Sequence, residues 1–136
     1  NMTVGTVGSL PDLSEKGDAA IVTQMIAEAK KDWDSAEKSW DFEILPLFQS
    51  KCGTLQESLD AATIECLARF DRMKELEKEN NRLFIEAYGL EAELTPDVAD
   101  DQITLYRPDR SEDIKRLLSY AIGCVMGRSS LDTPGL

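Results

Sequence analysis

Apolar positions recur with a helical period along most of this chain. From Asp18 onward, Val22, Met25, Ile26, Ala29, Trp33, Ala36 and Trp40 follow one another in three- and four-residue steps. That spacing predicts an amphipathic helix burying this stripe, with Asp18 as its N-cap. Pro46 biases Leu45 toward an extended backbone, so "FEILPLF" (42–48) reads as an apolar connector packed against helices. A break follows at Lys51-Cys52-Gly53-Thr54. From Thr54 to Tyr88 runs the longest helical pattern, with Leu55, Leu59, Ala62, Cys66, Phe70, Met73, Leu76, Leu83 and Ala87 as its seam and Asn80 as a polar interruption. A helix of that length spans about 50 Å. "DRMKELEKENNRL" within it reads as a coiled-coil or hairpin arm with a solvated charged face, and Gly89 is placed to end it.

The acidic stretch "EAELTPDVADDQ" (91–102) reads as turns, and "ITLYR" (103–107) as a short strand or extended passage. Asp109 followed by Glu112 fits a capping box. The helix it starts carries Ile114, Leu117, Leu118, Ala121, Ile122, Val125 and Met126, a series expected to be buried. Gly127 reads as its stop and Gly123 as a site of close helix packing. The fold class expected is mainly α: a helical bundle or hairpin with one long helix and at most a short extended segment near 103–107. Residues 1–17 read as a loose lead-in, with "NM" at the start resembling a tag remnant. Residues 18–136 read as a single connector domain, a piece of a larger protein.

Composition narrows the chemistry. The 136 residues are 42% hydrophobic and 30% charged, with 26 acidic against 15 basic residues and no histidine. That removes the commonest general base and metal ligand, and a net charge of −11 disfavours phosphate backbones. Cys52, Cys66 and Cys124 are odd in number and widely spaced, without a Cys-x-x-Cys pair. Cys66 and Cys124 sit in apolar helical patterns as small hydrophobes. No phosphate-binding glycine loop occurs, and no catalytic, cofactor or metal residue is assigned. No apolar run suggests a membrane span, and a reducing, cytoplasmic setting is expected.

Contact candidates remain. Trp33 and Trp40 fall seven residues apart, on one helical face at two turns' separation; they read first as core aromatics and otherwise as base-stacking surfaces or partner-protein contacts. Together with Tyr120 they are the candidates for packing against neighbouring domains. Between residues 107 and 128, Arg107, Arg110, Lys115, Arg116 and Arg128 outnumber three acids. These five are the candidates for DNA or domain contact.

Three long strings, "KKDWDSAEKSWDFEILPLF" (30–48), "ENNRLFIEAYGLEAELTP" (79–96) and "DIKRLLSYAIGCVMGRSSLDTPGL" (113–136), resemble the region after the catalytic domain in PglX-like adenine-specific DNA methyltransferases of BREX phage-defence systems and in the related type IIG restriction–modification enzymes. The resemblance covers about residue 20 to the end. It implies a parent enzyme that uses S-adenosylmethionine and an Asn-Pro-Pro-Tyr motif on double-stranded DNA, with the adenine flipped out of the duplex. This chain lacks that motif and a cofactor loop, so no such residue carries over. The family usually has an aromatic residue where Ser129 stands and often a longer insertion near 97–112. What the resemblance implies here is the helical spacer between the methyltransferase and target-recognition domains, both of which it would touch. From the residues alone, a self-associating helical module built on the 54–88 seam is the alternative.

Overall fold

The computed structural model describes residues 18–50 and 52–133, so the expected lead-in over 1–17 lies outside the described residues. It is mainly helical, as the periodicity predicts, with four α-helices and no strand among the described residues: α1 (Ala19–Asp34), a short α2 (Pro46–Gln49), α3 (Leu55–Tyr88) and α4 (Arg110–Val125). None of these helices is long and apolar enough to cross a membrane.

Local chemistry sets the boundaries. Asp18 caps α1 by accepting a hydrogen bond from the Ala20 N–H at 2.8 Å. Leu45 is extended at φ −63°, ψ 141°, and Pro46 opens α2 where its missing N–H costs nothing. A reciprocal capping box starts α3: the Glu57 N–H donates to Thr54 Oγ1 at 3.2 Å, and the Thr54 N–H donates to Glu57 Oε2 at 3.1 Å. Gly89, at φ 69°, ends it. At α4 only one arm of the expected box forms, Asp109 accepting from the Glu112 N–H at 3.0 Å. The Arg128 N–H donates to the Gly123 carbonyl at 2.8 Å and the Gly127 N–H to that of Cys124 at 3.1 Å. This double bond pattern closes a helix through a left-handed residue, here Gly127 at φ 73°.

Both α1 and α2 pack on α3. Two apolar clusters result. Toward the start of α3, Leu45, Leu47, Leu59 and Tyr120 are buried together. Phe42 meets the Tyr120 ring edge-on at 6.0 Å and Phe48 lies 5.6 Å from it. Near the middle of α3, Phe70 and Met73 close against Val98 and Ile103, with Met25 of α1 at the edge. "ITLYR" is the extended passage foreseen, without strand pairing.

Beyond Gly89 the chain turns back and runs along α3. Asn81 donates to the Pro96 carbonyl at 3.4 Å, Lys78 pairs with Asp97 at 2.7 Å, and Lys74 with Asp100 at 2.5 Å. Further along, the Arg107 guanidinium lies 4.8 Å over the Phe70 ring, and the Cys66 thiol donates to the Tyr106 carbonyl at 3.2 Å. The helical positions 81, 78, 74, 70 and 66 descend by one turn at a time, so the returning segment is a strap fastened along one face of α3.

Most of two stripes read as buried faces outward instead, while their members Met25 and Leu117 pack inward as expected. On α1, Val22, Ile26 and Trp33 are exposed, and the face toward α3 carries Ile21, Met25, Glu28 and Asp32. On α4, Ile114, Leu118, Ile122, Val125 and Met126 are exposed, while Leu117, Tyr120, Gly123 and Cys124 face inward. Each helix carries more apolar surface than one stripe, and the inward stripe is offset by one position from the one the period selects. Gly123 packs against its own tail and not a second helix: a Cβ there would meet Ser129 Oγ at 3.1 Å and the Arg128 guanidinium at 3.2 Å.

Candidate functional site

Tyr106 is where the four main segments meet. Its backbone N–H donates to Asp32 Oδ2 of α1 at 3.0 Å, and its carbonyl accepts from Cys66 of α3. Its hydroxyl donates to Asp113 Oδ1 of α4 at 3.0 Å, and the Arg116 guanidinium stacks 3.7 Å over its ring. Burial, and then the hydrogen bond to Asp113, push the phenol up from its ordinary range.

Behind this hub lies a charged layer between α1 and α3. Arg69 approaches Glu28 at 3.8 Å and Asp32 at 3.6 Å, and Arg72 bridges Glu28 at 3.4 Å and Glu65 at 2.9 Å. Arg69 Nε and Asn80 Oδ1 are the buried side-chain polar atoms without a hydrogen-bond partner among the described residues. A pocket of about 90 Å³ opens beside the hub, lined by Leu45, Leu59, Cys66, Arg69, Tyr106 and Arg116 among others. Burial, followed by the Asp32 carboxylate, pushes the Cys66 thiol up, which leaves little of the nucleophilic thiolate at neutral pH. Asp32 and Asp113 each accept a hydrogen bond from Tyr106, so the arrangement fixes the geometry of the hub.

The five basic candidates are mostly committed within the chain. Arg107 stacks on Phe70 and donates to the Asp100 carbonyl. Arg110 donates to Gln56 at 2.6 Å and pairs with Asp60 at 3.3 Å, tying the start of α4 to the start of α3. Lys115 pairs with Glu112 at 2.6 Å. Arg116 lies over Tyr106, and Arg128 folds against Gly123. Each meets a different partner, and they do not converge on one ligand.

The aromatic candidates divide. Tyr120 is a core residue at 1% exposure, its hydroxyl donating to the Ser130 carbonyl at 2.8 Å; it packs within this chain, not against a neighbour. Trp33 is 53% exposed, with the Lys38 ammonium 4.9 Å over its ring, and Trp40 is fully exposed. The reading of both as core aromatics is therefore corrected. They also do not share a helical face, because α1 stops at Asp34 where Ser35 and Ser39 cap into turns.

What the structure offers a partner is thus apolar surface. Val22, Ile26 and Trp33 line the outside of α1, and Ile114, Leu118, Ile122, Val125 and Met126 the outside of α4. The α4 face escaped the sequence reading because its period is that of a core stripe. The signal was present only as excess: α4 has apolar residues on more of its circumference than a surface helix needs.

No family model matches the chain. It is 36% identical over 141 residues to an adenine-specific methyltransferase PglX of Lacticaseibacillus casei, covering 98% of this chain. To an adenine-specific methyltransferase BrxX of Escherichia coli it is 27% identical over 151 residues, covering 100% of this chain. The chain spans 12% of the length of each of these relatives. Over nearly its whole length, then, it is a PglX-like segment, similar to one part of these adenine-specific methyltransferases.

Proposed function

We propose that this segment is the helical spacer of a DNA N6-adenine methyltransferase, holding the catalytic and target-recognition domains in register on double-stranded DNA. The carrying observation is the pair of outward apolar faces, on α1 and α4, joined by a core that is closed between them. Contiguous exposed apolar surface of this kind marks interaction sites. Methylating one base within a recognised sequence requires a fixed distance between reader and catalyst. A long helix clad by a strap resists bending where a flexible linker would not.

On this reading the parent enzyme binds S-adenosylmethionine in its catalytic domain, outside this segment. It works in the cytoplasm in BREX phage defence or type IIG restriction–modification. Trp33 and Trp40 pack against a neighbouring domain, and Lys115 and Arg128 supply at most secondary contact to the DNA backbone. Self-association along the seam of α3 is the weaker reading, since its members Leu59, Phe70 and Met73 are already covered by this chain's own residues, with Leu55 exposed at its start.

The test is to insert a flexible Gly-Ser segment into α3 after Asn81 in the longer methyltransferase and to measure methylation and S-adenosylmethionine binding separately. Site-specific methylation is expected to fall at least tenfold with cofactor binding unchanged. Unchanged methylation would reject the spacer.

A further inference from the structure

Resting on the spacer reading, we infer that Tyr106 is the positioning residue that sets the direction in which α4 leaves α3. Helices α1 and α2 lie close against α3, whereas α4 has no comparably close packing with another helix among the described residues. Between the first turns of α4 and the flank of α3 lies the pocket of about 90 Å³, bordered by Ala62 and Cys66 on one side and by Asp113 and Arg116 on the other. Helix-on-helix contact therefore does not fix the angle between these two elements. Side chains that bridge the gap do.

Those side chains hold α4 in two ways. The first is apolar. Tyr120, 1% exposed, is sunk among Leu45, Leu47 and Leu59, with Leu117 and Cys124 packed against the same cluster. Next to it, Ser119 donates to Glu37 at 2.6 Å. Apolar burial is non-directional, so it holds α4 down without fixing its heading. The second is directional and lies about 6–10 Å nearer the start of the helix, at 1.5 Å per residue. There the Tyr106 hydroxyl donates to Asp113 at 3.0 Å, and the Arg116 guanidinium stacks 3.7 Å over the ring. Asp113 and Arg116 are three residues apart on one helical face, so a single side chain engages the first two turns of α4 at once.

Tyr106 is itself fixed from behind. Its N–H donates to Asp32 of α1 at 3.0 Å, its carbonyl accepts from Cys66 of α3, and the adjoining Arg107 lies over Phe70. Its backbone thus belongs to the body formed by α1 and α3, and its side chain reaches out to α4. The other tie near the start of α4 joins Arg110 to Gln56 and Asp60. Its charged pair is 44% and 55% exposed, and pairs in that setting are weak. Heading matters because a spacer transmits angle: a tilt of α4 grows with distance into a displacement of what is joined beyond it. A misplacement of about 1 Å at a reacting centre can cost on the order of a hundredfold in rate.

The experiment measures the distance between nitroxides on α3 and α4 of this chain by pulsed electron–electron double resonance. The labels are attached through p-acetylphenylalanine at the exposed positions Ile64 and Val125, which leaves the native cysteines untouched. Tyr106→Phe keeps the ring and removes only the bond to Asp113, and it is expected to widen the distance distribution at least twofold. Tyr106→Ala should widen it further, and Arg110→Ala less. Asp113→Asn still offers the hydroxyl an acceptor and should keep the native width. In the longer methyltransferase proposed to contain this chain, Tyr106→Phe should lower kcat for site-specific methylation at least threefold and leave the KM for S-adenosylmethionine unchanged. Native width in both Tyr106→Phe and Tyr106→Ala overturns the inference and leaves the spacer reading standing. Widening in Asp113→Asn as large as in Tyr106→Phe also overturns it, as general loosening of α4. Wider distances with unchanged methylation uphold the role of Tyr106 in directing α4 and sink the spacer reading.

Discussion

The two sides of α4 carry similar side chains and meet different fates. Leu117, Tyr120 and Cys124 turn inward onto Leu45, Leu47 and Leu59, whereas Ile114, Leu118 and Ile122 face outward. The periodicity is equally good on both. What separates them is the supply of partners within the chain: the 42–48 connector and the start of α3 cover one side, and nothing among the described residues covers the other. Hydrophobic pattern states that a surface is to be buried; it does not state by which molecule.

Substitutions on opposite sides sharpen this contrast. Tyr120→Ala should destabilise the chain by about 3–5 kcal/mol in urea unfolding, since it removes an aromatic ring from the main cluster and opens a cavity. Leu118→Ser, less than four residues away, should change the same midpoint by under about 0.5 kcal/mol. Equal losses at the two positions would mean that the outward face is covered within this chain.

The charged layer between α1 and α3 should come next in size. Arg69→Met leaves Asp32 facing α3 without its cation and Glu28 with Arg72 and Lys31 alone. A loss of about 2–3 kcal/mol is expected, toward the low end for a broken buried pair because the cluster keeps some solvent contact. Gly127→Ala should cost about 1 kcal/mol, the penalty for a side chain in the left-handed region, and should loosen residues 128–131 without altering the rest of the helix. Amide exchange at Arg128, whose N–H is held by the Gly123 carbonyl, reports that loosening directly.

The smallest expected effect concerns the strap. Hydrogen bonds from Lys78 and Lys74 hold the Asp97 and Asp100 carboxyls below their ordinary value of 3.8. A carboxyl depressed by folding stabilises the folded state above its unfolded pKa, and that contribution disappears as pH falls through the folded value. The fastening of residues 97–100 to α3 should therefore be intact above about pH 4 and weaken below it. NMR shifts of Val98 and Ile103 should move with that titration while those of Leu45 and Tyr120 stay fixed.

Local signals were legible where local chemistry decides the outcome. The boundaries of α3 follow from Thr54, Glu57 and Gly89, the extended Leu45 from Pro46, and the α4 stop from Gly127, each needing only neighbours in sequence. Long-range pairings were not legible. Glu28 with Arg69, Lys74 with Asp100 and Asp32 with the Tyr106 backbone join positions separated by dozens of residues in an ordinary charged background. A single sequence has many equivalent charge pairs and no means of choosing among them. The same holds for the faces: Trp33 and Trp40 looked aligned because a continuous helix was assumed, and the turn after Asp34 separates them.

The account stands on the claim that α4 is anchored on one side and docked on the other. Hydroxyl-radical footprinting of Leu118, Ile122 and Met126, in the 136-residue chain and in the longer methyltransferase proposed to contain it, tests it most directly. The account expects strong oxidation of these residues in the short chain and protection in the long one, with Tyr120 protected in both. Equal oxidation of Leu118, Ile122 and Met126 in the two proteins would contradict it.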